Sequence, residues 1–156
     1  MDDRVKSILA KLRDSLEFSE QADFSDVNVS STDGDNALHR VVRWKDGQAA
    51  EALIAAGINV NKAGDLGYTP LHVACMIGDL EMVKLLVENG ANLFAMSEGD
   101  SPFTSARIAG HDQVCDFLGP LMKQSQSQDP DIWVRARIAQ LQREIAGLEA
   151  RIKKRS

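Results

Sequence analysis

Gly67-Tyr68-Thr69-Pro70-Leu71-His72-Val73-Ala74-Cys75, followed closely by Gly78-Asp79-Leu80-Glu81-Met82-Val83-Lys84-Leu85-Leu86-Val87-Glu88-Asn89-Gly90-Ala91-Asn92, is the stretch that decides the fold. Thr69 is suited to an N-cap, because its hydroxyl can accept from an unpaired amide of the first turn, and Pro70 suits the first helical position, where no N–H is needed. A short helix is therefore predicted from there to about Ile77. Gly78 permits a left-handed stop, and a second amphipathic helix follows from about Leu80 to Asn89, with Met82, Val83, Leu85 and Leu86 as its apolar stripe. Gly90 ends it.

The same arrangement recurs on either side at a spacing of about 33 residues. Leu38-His39 and Leu71-His72 lie one period apart, as do Val27-Asn28-Val29 and Val60-Asn61-Lys62, Gly34 and Gly67, and the pairs Gly57, Asn59 and Gly90, Asn92. A third copy follows with one residue deleted, since Gly99-Asp100-Ser101-Pro102-Phe103 aligns with Gly67-Tyr68-Thr69-Pro70-Leu71. One such unit is too small to bury its apolar face, so three in tandem imply a stack that shares its core.

The middle copy resembles the ankyrin repeat, and with its neighbours the resemblance covers roughly residues 26 to 121. It implies an all-α solenoid of helix pairs joined by short protruding hairpins. The outer copies depart from the pattern as terminal repeats do, with solvent on one side. The first has Asn36-Ala37 for Thr69-Pro70 and Lys45 for Gly78; the third has Thr104 for His72 and a break expected at Gly119-Pro120.

Outside the repeats, Val5, Ile8, Leu9, Leu12 and Leu16 recur at helical spacing, which predicts an amphipathic helix from about Asp3 to Phe18 shielding the N-terminal edge of the stack. Lys123 to Pro130 is polar, lacks apolar anchors and reads as a linker. Beyond it Val134, Ile138, Leu141, Ile145, Leu148 and Ile152 alternate at spacings of four and three, the pattern of a coiled-coil seam. Isoleucine at the first core position with leucine at the fourth favours a parallel pair, but Glu144 and Glu149 would then face each other across it and repel. Antiparallel self-association, packing of this helix on its own repeats, and capture of a partner's helix all stay open. The chain thus divides into an N-terminal capping helix (1–25), a repeat domain (26–122), a linker (123–130) and a heptad helix (131–156).

Charge is split along the chain. Residues 1–130 carry 11 Lys and Arg against 20 Asp and Glu, a balance of −9, whereas residues 131–156 carry 7 against 3, a balance of +4. An acidic body argues against nucleic-acid or anionic-membrane binding, which rest on clustered basic residues, and suits a protein partner with a basic surface. No run approaches the roughly 18 apolar residues of a membrane span, and Met1-Asp2-Asp3-Arg4 lacks the layout of a secretion signal, so a cytoplasmic protein is expected. The terminal Lys153-Lys154-Arg155 cluster complements the helix dipole.

Nothing in the sequence assembles a catalytic or cofactor site, and a non-enzymatic protein without cofactor or metal is expected. There is no Gly-rich phosphate loop and no His-Glu-x-x-His, and Cys75 and Cys115 sit singly in apolar helical patterns that predict burial. His39 and His72 recur with the repeat, and the ankyrin resemblance implies a structural hydrogen-bonding role for them.

The same resemblance implies that a partner binds at the hairpin tips and the exposed side of each first helix. Mapped onto this chain, those positions are Asp33, Asp35, Arg43 and Trp44; Asp65, Leu66, Tyr68, Met76 and Ile77; and Glu98, Asp100, Ile108 and Ala109. Trp44, Met76, Ile77 and Ile108 would form an apolar strip, and Asp33, Asp35, Asp65, Glu98 and Asp100 an acidic row along the tips. The expectation is a protein-binding module acting as adaptor or inhibitor, a toxin-neutralising immunity protein among the inhibitors. The competing expectation is an oligomeric scaffold built on the C-terminal helix.

Overall fold

A computed structural model describes residues 2–14 and 22–153. Its elements, in order, are α1 (Asp3–Arg13), α2 (Ala37–Arg43), α3 (Gly47–Ala55), α4 (Pro70–Ile77), α5 (Leu80–Glu88), α6 (Pro102–Ile108), α7 (Asp112–Gln128) and α8 (Ile132–Lys153). Among the described residues there is no strand beyond isolated bridges at the hairpins. The helices pair as α2/α3, α4/α5 and α6/α7. First helices pack side by side, α4 against both α2 and α6, and second helices do the same behind them. The core lies between the two rows: Leu38, Val41, Ala50, Leu53, Leu71, Ala74, Val83, Leu86, Ala106 and Leu118 are buried.

The caps explain where each helix begins. Asn36 accepts from the amides of Leu38 and His39, which makes Asn36-Ala37 a working substitute for Thr-Pro. Thr69 and His72 form the matching box at α4, and Asp46 and Asp79 cap α3 and α5. Lys45 takes the left-handed conformation that Gly78 takes one repeat later, with φ of 56° against 74°. The first repeat therefore keeps the turn without the glycine.

α1 buries Val5, Ile8, Leu9 and Leu12 against α2 and α3. The described helix spans Asp3–Arg13; the rest of the helix expected to Phe18, with Leu16, lies outside the described residues. The C-terminal side departs further from expectation. The helix does not break at Gly119-Pro120 but runs through Pro120 to Gln128, so most of the segment expected to be a linker is helical. Pro120 removes one intrahelical bond, and the buried Leu118 and Met122 on either side hold both halves to the core. The helix is interrupted instead at Asp129-Pro130-Asp131, where the chain turns. There the Asp129 carboxylate accepts from the Asp131 amide and pairs with Arg135, and the Ile132 amide donates to the Asp129 carbonyl.

Candidate protein-interaction surface

Each hairpin is closed by backbone bonds at its base. Ser31 N donates to Asp35 O at 2.8 Å, Gly64 N to Tyr68 O at 2.8 Å, and Ser97 N to Asp100 O at 2.9 Å. The first two close three-residue tips, Thr32-Asp33-Gly34 and Asp65-Leu66-Gly67, whereas the third closes the two-residue tip Glu98-Gly99. This accounts for the single deletion in the third copy. Leu66 (φ 52°) and Glu98 (φ 49°) are left-handed, a conformation costly to side chains with a Cβ.

Side chains then tie each hairpin to the next. His39 Nε2 donates to Tyr68 O at 2.9 Å while its Nδ1 accepts from the Asn36 amide, and His72 Nε2 donates to Asp100 O at 3.3 Å while its Nδ1 accepts from Thr69. Both rings are fully buried. That burial holds both below the ordinary imidazole range, His72 at about 4, so each ring is neutral with both nitrogens occupied. Asn28 and Asn61 repeat the device, their side-chain oxygens accepting from Asn59 N and Asn92 N at 2.7 Å. Gly64 is required by close approach: a Cβ there would lie 2.0 Å from Asp35 Oδ1 and 2.8 Å from His39 Nε2.

The thiols are not poised for chemistry. Burial pushes Cys75 up to about 12. Cys115 is half-buried, less enclosed than its pattern implied, and is pushed up by burial and by Asp112 and Asp116. No group of three or more His, Cys, Asp or Glu among the described residues could hold a metal ion.

The positions mapped from the sequence fall into two environments. Asp33, Arg43, Trp44, Asp65, Leu66, Met76, Glu98, Ile108 and Ala109 are exposed, with Leu66 at 60% and Ile108 at 72%. Asp35, Tyr68, Ile77 and Asp100 are half-buried. The Asp35 carboxylate accepts from the Asp65 amide and lies 3.9 Å from His39 Nε2, Tyr68 stands edge-on to His72, and Ile77 packs on the core. Trp44 lies at the edge of the strip, where it lines a groove with Ile8 and Lys11 of α1.

A third participant is the inner face of α8: packing of this helix on its own repeats stood open in the sequence, but the residues that make the contact were not named there. Trp133 stacks edge-on against Phe94 with ring centroids 4.8 Å apart, Arg143 donates to the Met96 carbonyl at 3.1 Å, and Gln140 is buried. Leu66, Met96 and Glu98 line a groove with Gln140, Arg143 and Glu144, so the basic helix lies beside the second and third acidic tips. The signal was present as Trp133, Ala136, Gln140 and Arg143, spaced three, four and three, beside the more regular heptad.

The family described as Ankyrin repeats (3 copies) matches residues 38–129, more than half of the chain. The protein belongs to the ankyrin-repeat family. Ankyrin repeats are generally protein–protein interaction modules. Over 93 residues it is 34% identical to the RelA-associated inhibitor of Mus musculus, covering 58% of this chain and 11% of that protein. Over 94 residues it is 39% identical to the tyrosine-protein kinase Shark of Drosophila melanogaster, covering 59% and 10%. Over 61 residues it is 43% identical to the Notch-regulated ankyrin repeat-containing protein A of Danio rerio, covering 38% and 54%. The chain thus spans about a tenth of the first two relatives and about half of the third. No helix among the described residues is long and apolar enough to cross a membrane.

Proposed function

We propose that this ankyrin protein is a non-enzymatic binding module that holds a partner protein against its hairpin tips and the open side of its first helices, as an adaptor or an inhibitor. The observation that carries this reading is the run of exposed apolar side chains at positions the fold does not need to be apolar: Leu66, Met76 and Ile108, with Trp44 at its edge. Such anchors, rimmed by polar groups, supply the desolvated centre of an interface. Leu66 adds to the argument because a leucine is kept there at the cost of left-handed backbone. The exposed Asp33, Asp65 and Glu98 favour a partner with a basic face, by raising its encounter rate and penalising acidic competitors.

The test is affinity capture with the full chain against the variant Leu66→Ala/Met76→Ala/Ile108→Ala, with captured proteins identified by mass spectrometry. All three side chains are exposed, so the variant should melt within a few degrees of the parent while losing its specific partner. Capture unchanged in a folded variant would place the interface elsewhere.

A further inference from the structure

α8 changes character along its length. Up to Glu144 one face meets the hairpins through Trp133, Ala136, Gln140 and Arg143. From Leu141 to Lys153 every residue is exposed, and Leu141, Ile145, Leu148 and Ile152 form a solvent-exposed apolar stripe on the side of the helix away from the hairpins. Apolar residues at this spacing on a solvated helix are half of an interface, because propensity alone does not hold a short helix in water and a covered apolar face does. Packing on its own repeats does not use this stripe: the docked face and the heptad face are different sides of the helix.

The charges beside the stripe select what covers it. In a parallel, in-register pair Glu144 meets the second copy's Glu149, twice. In an antiparallel pair the residues preceding each first core position face one another. The register that pairs Ile145 with the second copy's Leu148, and Leu141 with its Ile152, sets Glu144 beside its Arg151, also twice. No like charges then flank the seam. Glu144 is already held by the Gln140 side chain, which donates to it at 2.7 Å. This register uses exposed side chains of the second half of α8, so the two repeat stacks sit at opposite ends of the paired helices.

We infer that the protein forms an antiparallel homodimer through residues 141–153 of α8, with Glu144 and Arg151 exchanged between copies. The contact is small, on the order of 1,000 Å² or less, which places it among weak, concentration-dependent associations. It borders the partner-binding surface at Glu144, which lines a groove with Leu66 and Glu98.

Sedimentation of the full-length protein across a wide concentration range reads this directly. The parent should pass from monomer to dimer. Glu144→Arg should weaken association roughly tenfold by replacing two attractive contacts with repulsive ones, Arg151→Glu should do the same, and the combined exchange should restore it to within about threefold. Ile145→Ser should abolish it. Thermal melting should be nearly unchanged in all four, since every altered side chain is exposed. A parent that stays monomeric at the highest concentration overturns the proposal. So does stronger association in Glu144→Arg, because that variant would relieve a parallel pair by meeting Glu149.

Discussion

Replacing His72 by glutamine tests the idea that the histidines are neutral, buried ties between repeats. The ring is fully buried, and its affinity for a proton is lowered from the ordinary 6.5 to about 4 in the folded chain. Between those values the unfolded chain binds a proton that the folded chain does not. The contribution is therefore complete above the ordinary value and is lost as pH falls toward 4. By linkage, acidification from about pH 7.5 to about pH 4.5 should cost roughly 2.5 kcal/mol at this one site. For a domain of this size that lowers the melting temperature by roughly 8 °C. His72→Gln will itself destabilise at neutral pH, because it disturbs the bonds to Thr69 and Asp100, so the informative quantity is the slope. Melting followed by circular dichroism at several pH values should show a shallower decline in the variant, by about that amount. His39 and the carboxylates are present in both proteins and cancel in the difference. Equal slopes would show that burial does not hold His72 neutral and would refute the reasoning.

Three further outcomes are expected. Gly64→Ala should cost about 2 kcal/mol or more, since its Cβ would displace Asp35 and the bond from His39 to Tyr68, while Gly47→Ala, with no atom within 4 Å, serves as the control in the same thermal melts. Leu66→Asn should raise stability by about 0.5–1 kcal/mol in denaturant titration, because asparagine tolerates the left-handed region better, and should weaken partner capture by removing an anchor. Trp133→Ala should release α8 from the hairpins through loss of the contact with Phe94, read as faster tryptic cleavage at Arg135 and Arg137 with the stack still folded.

The repeat was legible because its chemistry is local. A cap, a proline, a histidine and a glycine stop recur at fixed offsets, and α4 begins and ends where those residues put it, Pro70 to Ile77. What escaped was decided by contacts distant in sequence. Gly119-Pro120 looks like a helix end until Leu118 and Met122 are seen to anchor both sides. The acidic row looks continuous until the Asp35 carboxylate is found tied to the Asp65 amide, Asp100 is found half-buried and α8 is found beside Glu98. Trp44 reads as one member of an apolar strip when the family's positions are mapped onto the sequence, but α1 packs close enough to make it the rim of a groove. The heptad drew attention to one side of α8 and hid the other, because Trp133, Ala136, Gln140 and Arg143 carry no apolar periodicity.

The histidine ties also set where the stack must end. Each ring closes the cap of its own helix through Nδ1 and reaches through Nε2 to a carbonyl of the following hairpin, so it also joins neighbours. Thr104 occupies the equivalent place in the last repeat, where its amide is capped by Ser101 and the following chain forms the long α7 and α8 instead of another hairpin. The array should behave as a short chain of coupled links, with amide exchange slowest in α4, which has a neighbour on both sides. Lengthening the protein by a grafted fourth unit would require histidine at position 104 before the new unit could share in that coupling.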